Sequence, residues 1–151
     1  MSQAAQVIEL LTSTNGAFIQ AEALSASGSS IVPGDLLAIN AAGEVLEHAT
    51  ADGGTQKAIA LKNLATAGEI DDAYAVGETV SYGFAHAGQV AFMTLATSQT
   101  ATRLTPLVSN GDGSLKIATL GAGTLEGAVV GYPVEPVTTT GATARIKVRI
   151  A

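Results

Sequence analysis

Two histidines, one knot of carboxylates, one glycine-rich stretch and one basic strand are the places in this 151-residue sequence where side-chain type and spacing could support chemistry. A metal site needs several ligands converging from close positions, and His48 and His86 each stand alone, in Glu47-His48-Ala49 and Ala85-His86-Ala87, without an H-E-x-x-H or similar pairing. With no cysteine there is no thiolate ligand, thiol nucleophile or disulfide framework. His86 falls on the face of Val80, Tyr82 and Phe84 if that run is one strand, and so reads as the polar end of an aromatic stripe. Glu69, Asp71 and Asp72 could attract Ca²⁺, but the D-x-D-x-D-G spacing is missing, and a solvated turn is the expectation. Gly121 to Gly127 has one residue too many for G-x-G-x-x-G, and no Walker lysine follows it. None of Ser27, Ser29, Ser30 and Ser109 sits in a G-x-S-x-G elbow. The sequence therefore predicts no catalytic residue, no metal ligand, no cofactor and no small-molecule substrate.

The basic strand is the clearest pattern in the chain. Arg145-Ile146-Lys147-Val148-Arg149-Ile150 alternates charge and aliphatic, so one face goes to a core and the other to water or a partner. Residues 1 to 102 carry two bases and ten acids, whereas residues 103 to 151 carry five bases and three acids. The cations of this strand either solvate a sheet edge, which the sequence favours, or meet acidic neighbours across a subunit boundary. They do not make a nucleic-acid surface: the chain has a net charge of −6, and the basic strip has no aromatic residue for stacking. Apolar runs are broken well before the roughly 18 residues of a membrane span, so no membrane is predicted.

The elements that would position these residues are short. Large aliphatics and phenylalanine make up 38 of 151 residues, enough for a core, while Ala and Gly together make up 45. From Ile31 onward, apolar runs are separated by turn signals such as Pro33-Gly34-Asp35, Ala42-Gly43-Glu44, Asp52-Gly53-Gly54, Val76-Gly77-Glu78 and Ala87-Gly88. Leu37-Ala38-Ile39, Val45-Leu46, Ala58 to Leu61, Thr79 to Phe84 and Val90 to Met93 are then strands, and the fold class is all-β, a small barrel or sandwich. Leu107 to Lys116 reads as a hairpin turning at Asn110-Gly111-Asp112-Gly113. It lines up with Leu37 to Glu47 at an offset of about 70 residues, as does Ala58 to Leu61 with Ala128 to Gly131. The predicted organisation is an extended N-terminal arm and linker over 1–30 and one β domain over 31–151, with possible similar halves at 31–64 and 104–135. In the arm, Val7, Ile8, Leu10 and Leu11 could add as a strand to a neighbouring sheet or form a first strand of the chain's own barrel. The modest core favours further burial in a subunit or partner interface.

In its last third the chain resembles the decoration, or capsid cement, proteins of tailed bacteriophages. The carriers are Gly127-Ala128-Val129-Val130-Gly131-Tyr132-Pro133-Val134-Glu135, the small-residue turn through Thr143, and the strand Arg145 to Ile150. That family often shows an apolar G-x-A strand ending in Glu, a turn of small residues and an alternating Arg/aliphatic last strand; Pro133 and Pro136 depart from its shorter members. The resemblance implies a β-tulip-like fold and a non-enzymatic protein on the outside of an icosahedral head, in the host cytoplasm only during assembly. It also implies the major capsid protein as partner and a homo-oligomer, with a trimer expected. Val7, Ile8, Leu10 and Leu11 are the first candidates for shell or subunit contact, and Arg145, Lys147 and Arg149 the second. A β-rich tail or surface module binding glycan is the alternative, weakened by the absence of Trp and the small number of aromatics.

Overall fold

The computed structural model describes residues 19–26, 28–63, 69–119 and 126–151. Glycine and short polar residues stop each run after a few positions, so the described residues build twelve short strands rather than a few long ones. β1 (Ile19–Leu24), β2 (Leu36–Ile39), β3 (Val45–Glu47), β4 (Ala58–Ala60) and β5 (Thr79–Phe84) form one antiparallel sheet in the order β1-β5-β4-β2-β3. β6 (Val90–Leu95), β8 (Leu107–Ser109), β9 (Leu115–Ile117), β10 (Gly131–Pro133) and β12 (Ala144–Ile150) close into a barrel in the order β10-β12-β6-β9-β8. β7 (Thr100–Ala101) and β11 (Val137–Thr138) make a two-stranded flap. The chain is all-β, with a closed five-stranded barrel.

The two sheets share one plan. Substituting β6, β12, β10, β8 and β9 for β1, β5, β4, β2 and β3 reproduces the neighbour order. Leu37 pairs with Glu47 as Leu107 pairs with Ile117, and a parallel bridge joins Ser25 to Val45 as one joins Leu95 to Leu115, all at an offset of 70. The Ala26 amide donates to the Val45 carbonyl at 2.8 Å, and the Ala96 amide to the Leu115 carbonyl at 2.8 Å. Later in each half the offsets become 73 and 66: the Ala85 amide donates to the Lys57 carbonyl at 3.0 Å, and the Ala151 amide to the Val130 carbonyl at 2.9 Å. The repeated unit runs from Ile19 to Ala85 and again from Gln89 to Ala151. Residues 19–26, placed with the arm and linker by sequence, belong to the first sheet, because β1 pairs with β5 over its whole length. The division at residue 31 is corrected to that extent.

The cores explain why the units stay together. Leu37, Val45, Ala58, Ala60, Val80 and Tyr82 fill the first unit, while Met93, Leu95, Leu107, Leu115, Val148 and Ile150 fill the barrel. Leu36, Ile59 and Leu61 turn the other way and join the barrel's cluster. β4 is thus buried on both faces, its alternate side chains serving different cores. Each fully buried Leu or Ile stabilises by about 2 kcal/mol, so this shared wall binds the halves into one body.

Candidate functional site

β12 carries the predicted basic face, but it is no edge. It pairs with β10 on one side and β6 on the other, so its alternation reflects the inside and outside of a barrel. The expectation that its cations solvate a sheet edge is corrected by this pairing. Arg145 turns back into the chain: Nη1 lies 2.9 Å from the Asp71 carboxylate, while Nη2 donates to the carbonyls of Pro33 at 2.9 Å and Ile70 at 3.0 Å. Its planar fork can hold a carboxylate and two carbonyls together, which a point-charge ammonium cannot. Arg145 is a clamp between the units, joining β12 to Pro33, Ile70 and Asp71 of the first unit. Lys147 sits 5.8 Å from the centroid of the Phe92 ring, a cation–π contact that leaves the ammonium at the rim of a shallow groove of about 230 Å³. Glu135, Pro136 and Val137 also line that groove. Arg149 is exposed beside Tyr132 and Val90. Val7, Ile8, Leu10 and Leu11 lie outside the described residues.

The candidates for chemistry are dispersed. His48 is buried, with Nδ1 2.8 Å from Ser109 Oγ and Nε2 3.0 Å from the Gly54 carbonyl, so it is a pin between β3 and β8. His86 is not the end of the aromatic stripe: β5 stops at Phe84, and His86 is exposed in a turn closed by Gln89, whose side-chain oxygen accepts from the His86 amide at 2.7 Å. The stripe itself is structural, with Tyr82 and Phe84 meeting edge to face at 5.6 Å. Glu69, Asp71 and Asp72 are exposed on a turn in which Asp72 accepts from the Glu69 amide at 2.7 Å. Among the described residues, no group of three or more His, Asp or Glu could hold a metal ion.

Sequence reasoning missed one unusual group. Asp35, read only as part of a Pro-Gly-Asp turn, is 6% exposed, and its carboxylate accepts from the Val32 amide at 2.9 Å. Burial pushes its carboxyl up to about 7, with Glu47 and Asp112 adding repulsion and the Val32 amide and Arg145 opposing. Glu47 is raised as well, chiefly by burial. Asp112 is desolvated too, yet hydrogen bonds from the Ser114 hydroxyl and amide and from Asn110 bring it below the usual range. The available signal was Leu36-Leu37 directly after the turn, since an acid abutting two core residues is drawn inward with them. Asp35 sits where the units meet: Gly113 lies against its carboxyl, and the Leu36 amide donates to the Gly113 carbonyl at 2.7 Å.

Among the described residues the arrangement offers a basic strip at Lys147 and Arg149, an acidic first unit, and two units joined by a shared core. No family model matches the sequence, and no curated protein matches it. The fold does have a solved counterpart, the N base of the head fiber gp8.5 in bacteriophage phi29, at a TM-score of 0.57 and 12% identity over 89% of this chain and 95% of that one. At that identity the likeness is one of architecture, and it spans both units: this chain has the fold of a phage head-fiber base.

Proposed function

We propose that this chain is a structural protein of a bacteriophage head, bound to the outside of the shell as a decoration protein that stabilises contacts between capsomers. The observation that carries the reading is the architectural likeness to a head-fiber base, because it covers nearly the whole chain rather than one common hairpin. The local chemistry agrees with it. The buried histidine pins the two units together, the buried carboxylate closes its own Val32–Asp35 turn, and the described surface offers charge and shape without converging acid and base groups. The protein then catalyses nothing. It acts through many modest contacts multiplied by the symmetry of the shell, so that avidity replaces one tight site. Its partners are the major capsid protein and further copies of itself, with a trimer expected. Lys147 and Arg149 face the shell or a neighbour together with Val7, Ile8, Leu10 and Leu11. Glycan binding has less support, because Tyr74 and Tyr82 are buried and Tyr132 half-buried, leaving few platforms for sugar stacking.

Co-sedimentation with expanded heads that lack the protein tests this. The full chain should pellet with them at a saturating ratio fixed by the lattice, and a chain without residues 1–14 should stay folded and leave the heads bare. Failure of the full chain to bind its own phage's heads would overturn the capsid role. Full occupancy by the shortened chain would overturn only the arm's part in it.

A further inference from the structure

Three large apolar side chains stand out as exposed among the described residues: Leu24 at 53%, Val76 at 60% and Leu104 at 85%. The internal repeat says what these positions correspond to. Within the chain, the Val32–Asp35 turn of the first unit docks on the second. The Thr94 amide donates to the Gly34 carbonyl at 3.3 Å, and Arg145 donates to the Pro33 carbonyl at 2.9 Å. Gly34 approaches so closely that a Cβ there would meet Arg145 Nε at 3.4 Å, the Phe92 carbonyl at 3.5 Å and Thr94 Oγ1 at 3.6 Å.

The second unit has the same turn. The Thr105 amide donates to the Thr102 carbonyl at 3.1 Å, as Asp35 does to Val32 at 3.0 Å. The Thr102 amide donates to Thr105 Oγ1 at 2.9 Å, as Val32 does to the Asp35 carboxylate at 2.9 Å. Here, however, Arg103 and Leu104 at the tip are exposed. The first unit has the counterpart of the receiving surface. Leu24 stands for Thr94, Glu22 for Phe92, Thr79 for Arg145 and Val76 for Ala142, next to the Thr143 that lines the internal groove. The Ser25 amide points to β5, donating to the Glu78 carbonyl at 2.9 Å. By alternation the Leu24 amide lies on the outer side of β1, where the Thr94 amide of β6 meets Gly34. Ser25 Oγ accepts from the Gly77 amide at 2.8 Å and donates to the Ala75 carbonyl at 2.9 Å, fixing the turn that carries Val76 beside Leu24.

We propose that the Thr102–Thr105 turn of one copy docks on the Leu24, Val76 and Thr79 surface of a second copy, repeating between chains the contact that joins the two units within each chain. The exchanges are complementary. Inside, a bare glycine faces a large arginine; outside, a large Leu104 faces a small Thr79, with Leu24 and Val76 to pack against. Inside, the turn that carries Pro33 and Gly34 lies by the Phe92 backbone, and Pro33 and Phe92 are apolar; the equivalent outer residues, Arg103 and Glu22, have opposite charge. Both surfaces are apolar at the centre and charged at the rim, as specific interfaces are. The contact is head-to-tail, each copy giving one turn and receiving one, so repetition closes into a ring or continues as a fibre according to the rotation between units. It does not depend on the capsid reading.

The chain has no cysteine, so cross-linking is clean. Equimolar Leu24→Cys and Leu104→Cys proteins, mixed and oxidised, should give a disulfide between the two variants, because the equivalent internal positions are close enough for one. Either variant alone should give far less. In sedimentation the unmodified chain should associate with rising concentration. Arg103→Glu should weaken that association by about tenfold, and Arg103→Glu with Glu22→Arg should recover it. A chain that stays monomeric at high concentration, a Leu24→Cys protein that cross-links only to itself, or a charge swap that restores nothing would overturn the proposal.

Discussion

Replacing Asp35 by Asn should make the protein more stable at alkaline pH and leave it almost unchanged in acid. The carboxyl lies at about 7 in the folded protein against 3.8 ordinarily, a difference of about 3 pH units, or about 4 kcal/mol. Below about pH 4 the group is neutral in both folded and unfolded chains and favours neither. Between there and about pH 7 the unfolded chain loses its proton while the folded one keeps it, so stability falls as pH rises, and above about 7 the whole penalty stands. Asparagine removes the charge yet keeps an oxygen to accept from the Val32 amide, so little else is lost. Burial sets this balance first and the Val32 amide opposes it, while Glu47 and Asp112 repel the carboxylate and Arg145 attracts it. Urea unfolding of both proteins near pH 4 and near pH 8.5 measures the effect. The variant should be ahead by about 2 to 4 kcal/mol at the higher pH and within about 0.5 kcal/mol at the lower. An advantage that does not change with pH, or an Asn protein less stable than the parent in alkali, would refute a buried, proton-bearing Asp35.

Arg145→Met should cost about 2 kcal/mol by denaturant titration, mostly from stranding the carbonyls of Pro33 and Ile70, since the partner Asp71 is itself largely solvated. Arg145→Lys should recover less than half of that loss, and equal stability of the Lys protein would argue against the fork geometry. Gly131→Ala should be severe, above about 3 kcal/mol or no soluble protein, because its Cβ would clash with the Arg149 carbonyl and stand 2.8 Å from Val148 Cγ1. Gly88→Ala, in a turn with φ +86° and open space around it, should cost only about 1 kcal/mol by thermal unfolding.

Much of this architecture is visible in the sequence because turn chemistry is local. Val76-Gly77-Glu78 and Ala87-Gly88 bracket β5, and Asn110 to Gly113 turns the β8–β9 hairpin with glycines 111 and 113 supplying the positive φ angles. The alternation of Arg145 to Ile150 likewise identifies a strand with two unlike faces. It cannot say whether that strand has one neighbour or two, since pairing on both sides depends on how far the sheet curls before its ends meet. Edge and barrel wall give the same pattern, and only the partners β10 and β6 distinguish them. Long-range partners hide the site residues in the same way. Arg145 looks free until Pro33, more than a hundred residues earlier, is brought beneath it. His48 looks isolated until Ser109 arrives, and Asp35 looks like a solvated turn until Gly113 covers it.

The abundance of alanine has a physical cause in the doubled plan. A strand that serves two cores has no solvent side on which to place polar residues, and two large side chains per repeat would push the neighbouring layers apart. β4 and its continuation resolve this by alternation, with Ala58 and Ala60 toward the first core and Ile59 and Leu61 toward the barrel. A small core need not signal a missing partner when one wall is shared. The pressure for a partner comes instead from where the repeat breaks. At the internal contact the units have diverged into Gly34 against Arg145, a pairing satisfied within the chain. At the equivalent outer positions they have diverged into Leu104, Leu24 and Val76, large apolar groups held in water next to an arginine and a glutamate. A protein content to remain single gains nothing from placing the most exposed leucine among the described residues on a turn whose twin is a docking element. The same hydrogen-bonded turn, buried once and bare once, is therefore a donor without an acceptor until another copy supplies one.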